Sequence, residues 1–438
     1  EDWHIPHYEK MLYDQAQLAR SYLEAVQLSG EAVYKRVARD ICEYVCSPRM
    51  RDPAGGFYCA EDADSLPPQA GATKKLEGAF YVWREEEIRE LLGERADLFC
   101  RYFDVRPEGN TPHGVDPHGD LDQQNTLIAR RPLAEVAESF HLSVEAAEAE
   151  LSACRKILNE VREKRPHPHL DDKILVAWNG MMISSLCLAH RVLRESKYLE
   201  YAITATNFVF DQLYSQETGL IRSYREGPSA IPAFCADYAS LIGALLELYA
   251  STFDTEWLRR AVELQEQQLD LFWDDKVAGF FNAPANDPRL LFRSKEAYDG
   301  AEPSENSISA ANLVRLALLL DHSRYRGLAE RMIETFAVQL AKAPITVPEM
   351  VNAARLLSLP PMHTVLVLGE SLSLQAEQPQ AFLGALWSRF LPQNQLVCLH
   401  DQRSRAFFSQ YTDRYTHMDS TTATPAATVS ASSSSSSS

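Results

Sequence analysis

Three carboxylates crowd one short segment of the chain, DPAGGFYCAEDADS at residues 52–65. Glu61, Asp62 and Asp64 follow a Gly-Gly pair, which predicts a turn. Close carboxylates raise one another's pKa, so such a group can supply one proton donor and one acceptor, as cleavage of a glycosidic bond requires. The alternative interpretation is a solvated acidic loop that caps the next helix.

Two further carboxylates, Asp171 and Asp172, stand just before an apolar run that begins at Ile174. The segment reads HPHLDDKILVAWNGMMISSLCL, and from Ile174 on it is apolar on every side, so as a helix it would be buried all round. Carboxylates at a helix start are favoured by the helix dipole and can cap free N–H groups. We expect Asp171 and Asp172 either to cap this core helix or to act as acid and base at a pocket lined by helix ends.

Histidines form two short patterns, HxxHxE with His4, His7 and Glu9, and HxH with His167 and His169. His4 and His7 are alternative proton carriers, because histidine exchanges protons near neutral pH, as an epimerase acting beside a carbonyl needs. These spacings are weak signals for a metal, and the sequence has no phosphate-binding or nucleophile-elbow motif. We predict no metal site and no cofactor.

Aromatic and polar side chains near the carboxylates are candidates for binding a sugar ring, because an aromatic face is flat and apolar. In a helical protein most aromatic residues simply belong to the core. Asp237, in the apolar segment FCADYASL, must be paired or lie in a pocket. The predicted substrate-binding residues are Trp178, Asn179, Tyr58, Trp83, Asn306 and Glu302.

The composition is that of a globular protein, with 45% hydrophobic and 24% charged residues in 438. A formal net charge of −18 disfavours nucleic acid as a partner. No apolar run is long enough to span a membrane. Eight cysteines in apolar contexts, without a CxxC pair, favour a reducing, cytoplasmic compartment. Secretion stays open because the chain starts at Glu1 without an initiator Met, and protein partners stay unknown.

Hydrophobic periodicity predicts a chain of helices. The first is expected to start near Pro6 and run to Ser29, and GAFYVW (78–83) is expected to be a short strand. Residues 104–131 are rich in Gly, Pro, Asp and His and predict a long loop. The other predicted helices are 30–46, 84–92, 143–165, 197–214, 234–250, 255–272, 307–321, 325–342 and 346–357.

One pattern occurs three times, at residues 47–58, 213–224 and 272–283. Each copy leaves a helix through an aromatic-rich turn that contains glycine. Repeated helical hairpins must stack side by side, as an open solenoid or a closed ring. After Pro361 two β-branched runs flank a helical stretch and predict a β-α-β segment. We therefore expect helices over 1–360, this segment over 361–417 and a disordered Ser/Thr/Ala tail over 418–438.

Five segments together resemble the spermatogenesis-associated protein 20 family of thioredoxin-domain-containing proteins, over roughly residues 1 to 410. They are, in order, WHIPHYEKMLYDQAQLA, GGFYCAEDADS, EGAFYVW, HLDDKILVAWNGMMISSL and YDGAEPSENSISAANLVRL. The resemblance implies a thioredoxin-like domain followed by an α/α toroid of the six-hairpin glycosidase class, akin to N-acylglucosamine 2-epimerases. We expect a mainly α, partial toroid here with a small α/β C-terminal segment, and we expect the thioredoxin-like domain and the first toroid helices to be absent. Glu305, where family members often have a small residue, departs from the pattern.

The predicted function is hydrolysis or epimerisation of a sugar-like small molecule by carboxylate and histidine acid–base chemistry. The alternative is a non-catalytic scaffold for a thioredoxin-like domain, with the role in spermatogenesis to which the family name points. Whether the chain is an enzyme stays open between these two hypotheses. The predicted catalytic residues are Asp172, Asp171, Glu61, Asp62, Asp64, His7 and His4.

Overall fold

The computed structural model describes residues 5–69, 71–112, 116, 119–285, 290–369, 372–415 and 418. His4 and the predicted tail beyond Met418 therefore lie outside the described residues. The chain divides into two compact units. The first unit comprises Glu1–Met11 and Cys59–Asp172, and the second comprises Leu12–Tyr58 and Lys173–Ser438.

Helices account for most of the regular structure, and the strands are short. In chain order the helices are α1 (Leu12–Ser29), α2 (Ala32–Cys46), α3 (Glu85–Leu92), α4 (Ala96–Tyr102), α5 (Leu133–Ser139), α6 (Val144–Arg162), α7 (Val176–Leu193), α8 (Ser196–Leu213), α9 (Cys235–Thr252), α10 (Thr255–Phe272), α11 (Glu305–Leu320), α12 (Ser323–Thr335), α13 (Ala337–Lys342), α14 (Pro348–Ser358), α15 (Glu377–Trp387) and α16 (Gln402–Ser409). The strands are β1 (Lys10–Met11), β2 (Ala60–Glu61), β3 (Asp64–Ser65), β4 (Leu76–Glu77), β5 (Leu170–Asp171), β6 (Ile174–Leu175), β7 (Tyr214–Ser215), β8 (Gly219–Leu220), β9 (Ser223–Tyr224), β10 (Met362–Val367) and β11 (Asn394–Leu399).

The second unit is an α/α toroid built from helical hairpins. Its inner helices α1, α7, α9, α11 and α14 pack against one another in that order and line one cavity. The outer helices α2, α8, α10 and α12 each pack against the inner helix that precedes them. The predicted partial toroid is therefore confirmed.

The sequence separates inner from outer helices by how they are buried. Helices α7, α9 and α11 are apolar nearly all round and are mostly buried, whereas α2 and α10 bury one face only. Gly180 lets α7 approach α9 closely, because an added Cβ would lie 2.6 Å from the carbonyl carbon of Ser240. Side-chain hydrogen bonds tie further inner pairs, from Ser185 to the Ala16 carbonyl at 2.7 Å and from Asn312 to the Ala239 carbonyl at 2.8 Å.

The three repeated segments form equivalent tight turns after α2, α8 and α10. Backbone pairing closes each turn, as an Arg51–Phe57 bridge, the β7–β8 ladder and a Trp273–Phe280 bridge. Two of the turns are held by a buried asparagine in the next inner helix. Asn179 bonds both the N–H and the carbonyl of Phe57, at 2.8 and 3.0 Å, and Asn306 does the same for Phe280, at 2.7 and 2.9 Å. The internal repeat predicted from sequence is present.

A parallel β-α-β element follows the helices, as the sequence predicts. Strands β10 and β11 pair in register from Met362–Asn394 to Val367–Leu399, with α15 between them in the chain. The Tyr249 hydroxyl of α9 accepts a hydrogen bond from the Cys398 N–H at 3.3 Å, so the element is anchored to an inner helix of the second unit.

The first unit combines a small antiparallel sheet with helices α3 to α6. The sheet has the strand order β1-β2-β5, with Lys10 opposite Glu61 and Ala60 opposite Asp171. Arg165 lies over the buried Trp83 ring at 3.9 Å and donates to the carbonyls of Phe80 and Val82. These contacts place Trp83 in the core of this unit.

Four expectations about elements are wrong. The first helix starts at Leu12 and not near Pro6, and residues 78–83 form a turn, with Trp83 bridged to Asn125, in place of a strand. The predicted helix 325–342 is divided into α12 and α13.

The fourth error concerns the buried helix after Asp171 and Asp172. Helix α7 starts at Val176, and Asp171 lies in β5, where it pairs with Ala60. The short strand β6 separates both aspartates from the helix, so they do not form its first turn. Its Ala177 N–H is instead bonded at 3.1 Å by Asp237, which belongs to α9.

All eight cysteines are free and buried, as their apolar contexts predict. Burial raises the pKa of the Cys42 and Cys187 thiols to about 12, so neither is a reactive thiolate near neutral pH. Among the helices that the structure describes, none has the length and apolar character needed to cross a membrane.

Candidate functional site

A cavity of about 580 Å³ lies inside the ring of inner helices of the second unit. Each inner helix contributes polar side chains to it, and residues 386–396 close part of its wall. Its size is that of typical small-molecule sites. The polar and charged side chains that line it include Gln17, Arg20, Ser21, Glu24, Ser184, Arg191, Glu247, Arg315, Glu349, Asn352, Arg355 and Arg389.

Three arginines surround one buried glutamate in this cavity. Glu247 Oε1 lies 3.1 Å from Arg315 Nη2 and 3.8 Å from Arg20 Nη1, and Oε2 pairs with Arg191. Burial by itself would raise the pKa of the Glu247 carboxyl, but the three guanidinium groups outweigh it and hold that pKa below its usual range. Glu247 is therefore ionised at neutral pH and fixes the arginines around it.

A second carboxyl, Glu349, lies at the start of α14. Asn352 donates to its Oε2 at 3.1 Å. Burial raises the pKa of Glu349. A hydrogen bond from Asn352 and the charge of Arg20 lower it, and the negative charges of Asp299 and Glu24 raise it again. The backbone around it is fixed by Asp299, which accepts from the Glu349 N–H at 2.9 Å. The cavity therefore contains one firmly ionised carboxylate and one that holds its proton more tightly.

Aromatic and charged side chains gather where the inner helices begin, and we call this group the entrance cluster: Trp178, Glu302, Arg222, Asp237 and Asp14. None of these five residues lines the cavity, but two residues that do, Gln17 and Pro303, follow Asp14 by three positions and Glu302 by one. The Gln17 side chain also donates a hydrogen bond to the carbonyl of Ala301, the residue before Glu302, at 2.8 Å.

Glu302 is a half-buried carboxyl in the entrance cluster. Burial raises its pKa, hydrogen bonding from the Trp178 indole and the charge of Arg222 lower it, and Asp14 raises it again. The net shift is upward. The Trp178 ring meets Tyr13 edge to face, with 5.0 Å between centroids. A carboxyl with a raised pKa thus lies beside an aromatic pair.

Asp237 is the fully buried member of the entrance cluster. Its Oδ2 accepts from the Phe234 N–H at 2.8 Å and lies 3.3 Å from Arg222 Nη1. Burial raises the pKa of Asp237 to about 6, although Arg222 and two backbone N–H groups oppose the shift. The expectation that a buried Asp237 needs partners is confirmed.

The sequence-predicted acid–base residues lie in the first unit. Glu61 is buried in β2, and Asp64 starts β3 opposite Glu77. Asp62 Oδ2 lies 3.8 Å from Lys75 Nζ. The pairing of β2 with β5 brings the 61–64 group near Asp171, since Ala60 lies opposite Asp171 and the Asp62 N–H donates to the His169 carbonyl at 2.9 Å. The catalytic roles of Glu61, Asp62, Asp64, Asp171 and Asp172 stay predictions.

His7 is exposed at the surface of the first unit. Its ring nitrogens lie 3.0 Å from Glu77 Oε1 and 3.2 Å from Glu9 Oε2. Hydrogen bonding to Glu77 raises its pKa, burial lowers it and Glu9 raises it again. His4 lies outside the described residues. Within the part of the chain that the structure describes, no three His, Cys, Asp or Glu side chains are arranged to hold a metal ion.

The predicted binding residues are divided between the units. Trp178 and Glu302 meet in the entrance cluster, and the amides of Asn179 and Asn306 are used by the Phe57 and Phe280 turns. Tyr58 packs against the main core of the second unit, and Trp83 lies in the core of the first. The binding roles of these residues also stay predictions.

The arginine–glutamate group of the cavity was not predicted. Its signal is in the sequence, because Arg191, Glu247 and Arg315 each interrupt an otherwise apolar helix. A charge at such a position must be paired or face a cavity. That argument identifies Asp237, and it applies equally to these three residues.

No family model matches the chain. Spermatogenesis-associated protein 20 of Homo sapiens is 36% identical over 428 residues, a match that covers 93% of this chain and 53% of the human protein. The protein of that name from Mus musculus is 35% identical, with the same coverage. Among solved structures, a sugar epimerase from a ruminal bacterium aligns with a TM-score of 0.41 and 9% identity, over 76% of this chain and 61% of that one.

The chain thus spans about half the length of the curated relatives it matches. Over that span, it is homologous to spermatogenesis-associated protein 20.

Proposed function

We propose that the ring cavity of the second unit binds a polyhydroxylated, sugar-like small molecule and that Glu302 acts on it as a general acid or base. The observation that carries this proposal is the Glu302 carboxyl, whose pKa is raised, hydrogen-bonded to the Trp178 indole and next in the chain to Pro303, which lines the cavity of about 580 Å³. A carboxyl that keeps its proton closer to neutral pH can donate it to a leaving oxygen.

The chemistry requires a proton acceptor as well as a donor. Asp14 lies close enough to raise the pKa of Glu302. A pair of carboxyl groups, one acting as acid and the other as base, serves either hydrolysis of a glycosidic bond or epimerisation beside a carbonyl. The Trp178 and Tyr13 rings offer apolar faces for a sugar ring, and Gln17 and Ser184 offer hydrogen bonds.

Thermal-shift titration of the full chain with neutral sugars, sugar acids and N-acyl sugars tests the binding. A ligand that favours the folded state raises the melting temperature by mass action. Compounds that bind are then assayed for hydrolysis and epimerisation. We expect Glu302→Gln to lower turnover about 10²- to 10⁴-fold, the usual contribution of a general acid or base. Glu330→Gln, at an exposed pair on α12, is the control and should leave turnover unchanged.

Asp172→Asn tests the earlier assignment of catalysis to the first unit. If Asp172→Asn abolishes turnover of a well-folded protein while Glu302→Gln preserves it, the role of Glu302 is wrong. If the reverse holds, Asp172 is not the catalytic acid. The two variants therefore separate the two candidate sites.

The alternative function is a non-catalytic scaffold, for which the role in spermatogenesis rests only on the name of the relatives. A folded chain that binds no compound of the panel would favour that alternative and contradict the sugar-site proposal.

A further inference from the structure

The ring cavity is positively charged within an acidic protein. Five arginines and three glutamates line it, whereas the whole chain carries a formal net charge of −18. The lining therefore has two more positive than negative charges even when all three glutamates are ionised. Since the pKa of Glu349 is raised, the excess is larger whenever that carboxyl is protonated.

The arginines differ in how far they reach into open space. Arg191 and Glu247 are nearly buried, with 10% and 6% of their side chains exposed. Arg20 and Arg315 keep 45% and 24% exposed, although both line the cavity. We interpret Arg191 and Glu247 as the support that positions the other two guanidinium groups.

The single glutamate does not satisfy the three guanidinium groups around it. Each guanidinium has five N–H donors in a fixed plane, and a carboxylate can accept only a few of them. Among the described residues, Arg315 forms an ion pair with Glu247 alone. Arg20 pairs with Glu24 at 2.9 Å and lies at 3.8 Å from Glu247. Donors of both arginines therefore remain for a ligand inside the ring.

A purely structural ion cluster would be closed from solvent and balanced in charge. This one is open to a cavity and carries an excess of positive charge, and burial lowers the pKa of Arg315. An anion placed between Arg20 and Arg315 would supply the missing negative charge and accept planar, paired hydrogen bonds.

We infer that Arg20 and Arg315 bind the anionic group of the ligand, so that the cavity takes a sugar acid or a sugar phosphate in preference to a neutral sugar. The sugar part of this inference rests on the proposed function. The anion part rests only on the cavity and its charged side chains. Carboxylate and phosphate share the chemistry that a guanidinium recognises, and the probes below distinguish them.

Isothermal titration of the full chain in phosphate-free buffer compares four probes: D-glucose, D-glucuronate, D-glucose 6-phosphate and inorganic phosphate. We expect at least one charged sugar to bind at least tenfold more tightly than D-glucose. The charged sugar that binds more tightly identifies the preferred anion as carboxylate or phosphate. The preference should shrink as salt concentration rises, because the cavity is open to ions.

Arg315→Gln and Arg20→Gln test the two residues, and Arg326→Gln, at an exposed pair on α12, is the matched control. Each cavity variant should weaken binding of the charged sugar at least tenfold, with D-glucose affected much less. The control should bind like the unmodified protein. Arg315→Lys keeps the charge but loses the planar pair of donors. If Arg315→Gln does not fold, Arg315→Lys serves in its place, and its affinity for the charged sugar should be lower than that of the unmodified protein but not abolished.

The outcomes separate this inference from the proposed function. The anion site is wrong, and the sugar site is unaffected, if D-glucose and the charged sugars bind equally well. The same conclusion follows if neither arginine substitution changes the affinity for the charged sugar. Arginine-dependent binding of inorganic phosphate with no sugar bound overturns the sugar site and supports the anion site. Failure of all four probes to bind the folded chain overturns both.

Discussion

Asp237 joins the starts of two helices with one side chain. Its Oδ1 accepts from the Ala177 N–H of α7, and its Oδ2 accepts from the Phe234 N–H just before α9. Free N–H groups at a helix start need such acceptors. The cost is a carboxylate held in a fully buried position, and this cost appears as a raised pKa.

The titration of Asp237 predicts a specific loss of stability with rising pH. Its pKa is about 6 in the folded state against 3.8 ordinarily, so the folded protein binds the proton more tightly. The stabilisation is therefore present below pH 3.8 and is lost as pH rises through 6. The free energy of unfolding should fall by about 3 kcal/mol over this range, since one pKa unit corresponds to about 1.36 kcal/mol. The free energy of unfolding should be measured for the unmodified protein and Asp237→Asn from pH 4 to 7. A difference between the two that stays constant would contradict the assignment.

Glu247 predicts the opposite dependence on pH. Its pKa is lowered in the folded state, so its contribution is present above its ordinary value of 4.5 and is lost as pH falls through the folded pKa. At pH 7 we expect Glu247→Gln to lower the free energy of unfolding by about 3–5 kcal/mol, because the nearly buried Arg191 loses its partner and three guanidinium groups are left close together without the charge between them. Glu330→Gln should change it by less than about 1 kcal/mol. Urea denaturation measures both, and equal effects would show that the cluster is not structural.

Site residues are predictable from sequence only where a local rule applies. An aspartate inside an apolar helix predicts a buried pair, and Asp237 fulfils that rule. Asp171 and Asp172 have the composition of a helix cap, but a strand pairing with Ala60 takes Asp171 out of the helix. That partner is more than a hundred residues away, so no local pattern reveals it.

At the scale of elements, the inner ring depends on close contact between α7 and α9. Gly180 makes this contact possible, since any Cβ there would approach the Ser240 carbonyl. The glycine carries a helix-propensity cost of about 1 kcal/mol relative to alanine, and the packing of the two helices compensates for it.

Replacing Gly180 with alanine should therefore destabilise the protein. We expect Gly180→Ala to lower the free energy of unfolding by about 1–3 kcal/mol, because the helices must move apart. Gly327→Ala in α12 is the matched control, since nothing lies within 4 Å of its added Cβ. It should stabilise by up to about 1 kcal/mol. Denaturant midpoints compare the two variants, and a stabilised Gly180→Ala would contradict the close contact.

Long helices and repeats are recovered from the sequence, and two-residue strands are not. Helix α10 is predicted at both of its ends, because its apolar period extends over five turns. GAFYVW has the composition of a strand, but Trp83 finds only one bridge, to Asn125. Strand formation depends on pairing with a partner strand, and the periodicity of one segment does not show whether such a partner exists.

At the scale of the whole molecule, the chain crosses between its two units three times, after residues 11, 58 and 172. Composition does not mark these crossings, which explains why the sequence predicts a single helical region up to residue 360. The stacking of hairpins was predictable, because each repeated turn implies a hairpin, whereas the choice of a ring over an open solenoid rested on the family resemblance.

The cysteines report on the two units separately. Cys59, Cys100 and Cys154 belong to the first unit, and the other five belong to the second. If the units unfold separately in urea, alkylation followed by mass spectrometry should show three thiols becoming reactive at one urea concentration and five at another, because all eight are buried in the folded protein. Reaction of all eight at one midpoint would mean that the chain unfolds as a single cooperative body.

The hydrogen bond between Asp237 and the start of α7 also affects how the chain folds during translation. The two partners are 60 residues apart. At a synthesis rate of 5–20 residues per second, the first turn of α7 waits roughly 3–12 s for its acceptor to be made. During that interval the apolar helix α7 lacks the acceptor for its Ala177 N–H. Nascent chains of this length would therefore be expected to need a chaperone more than either shorter or finished ones.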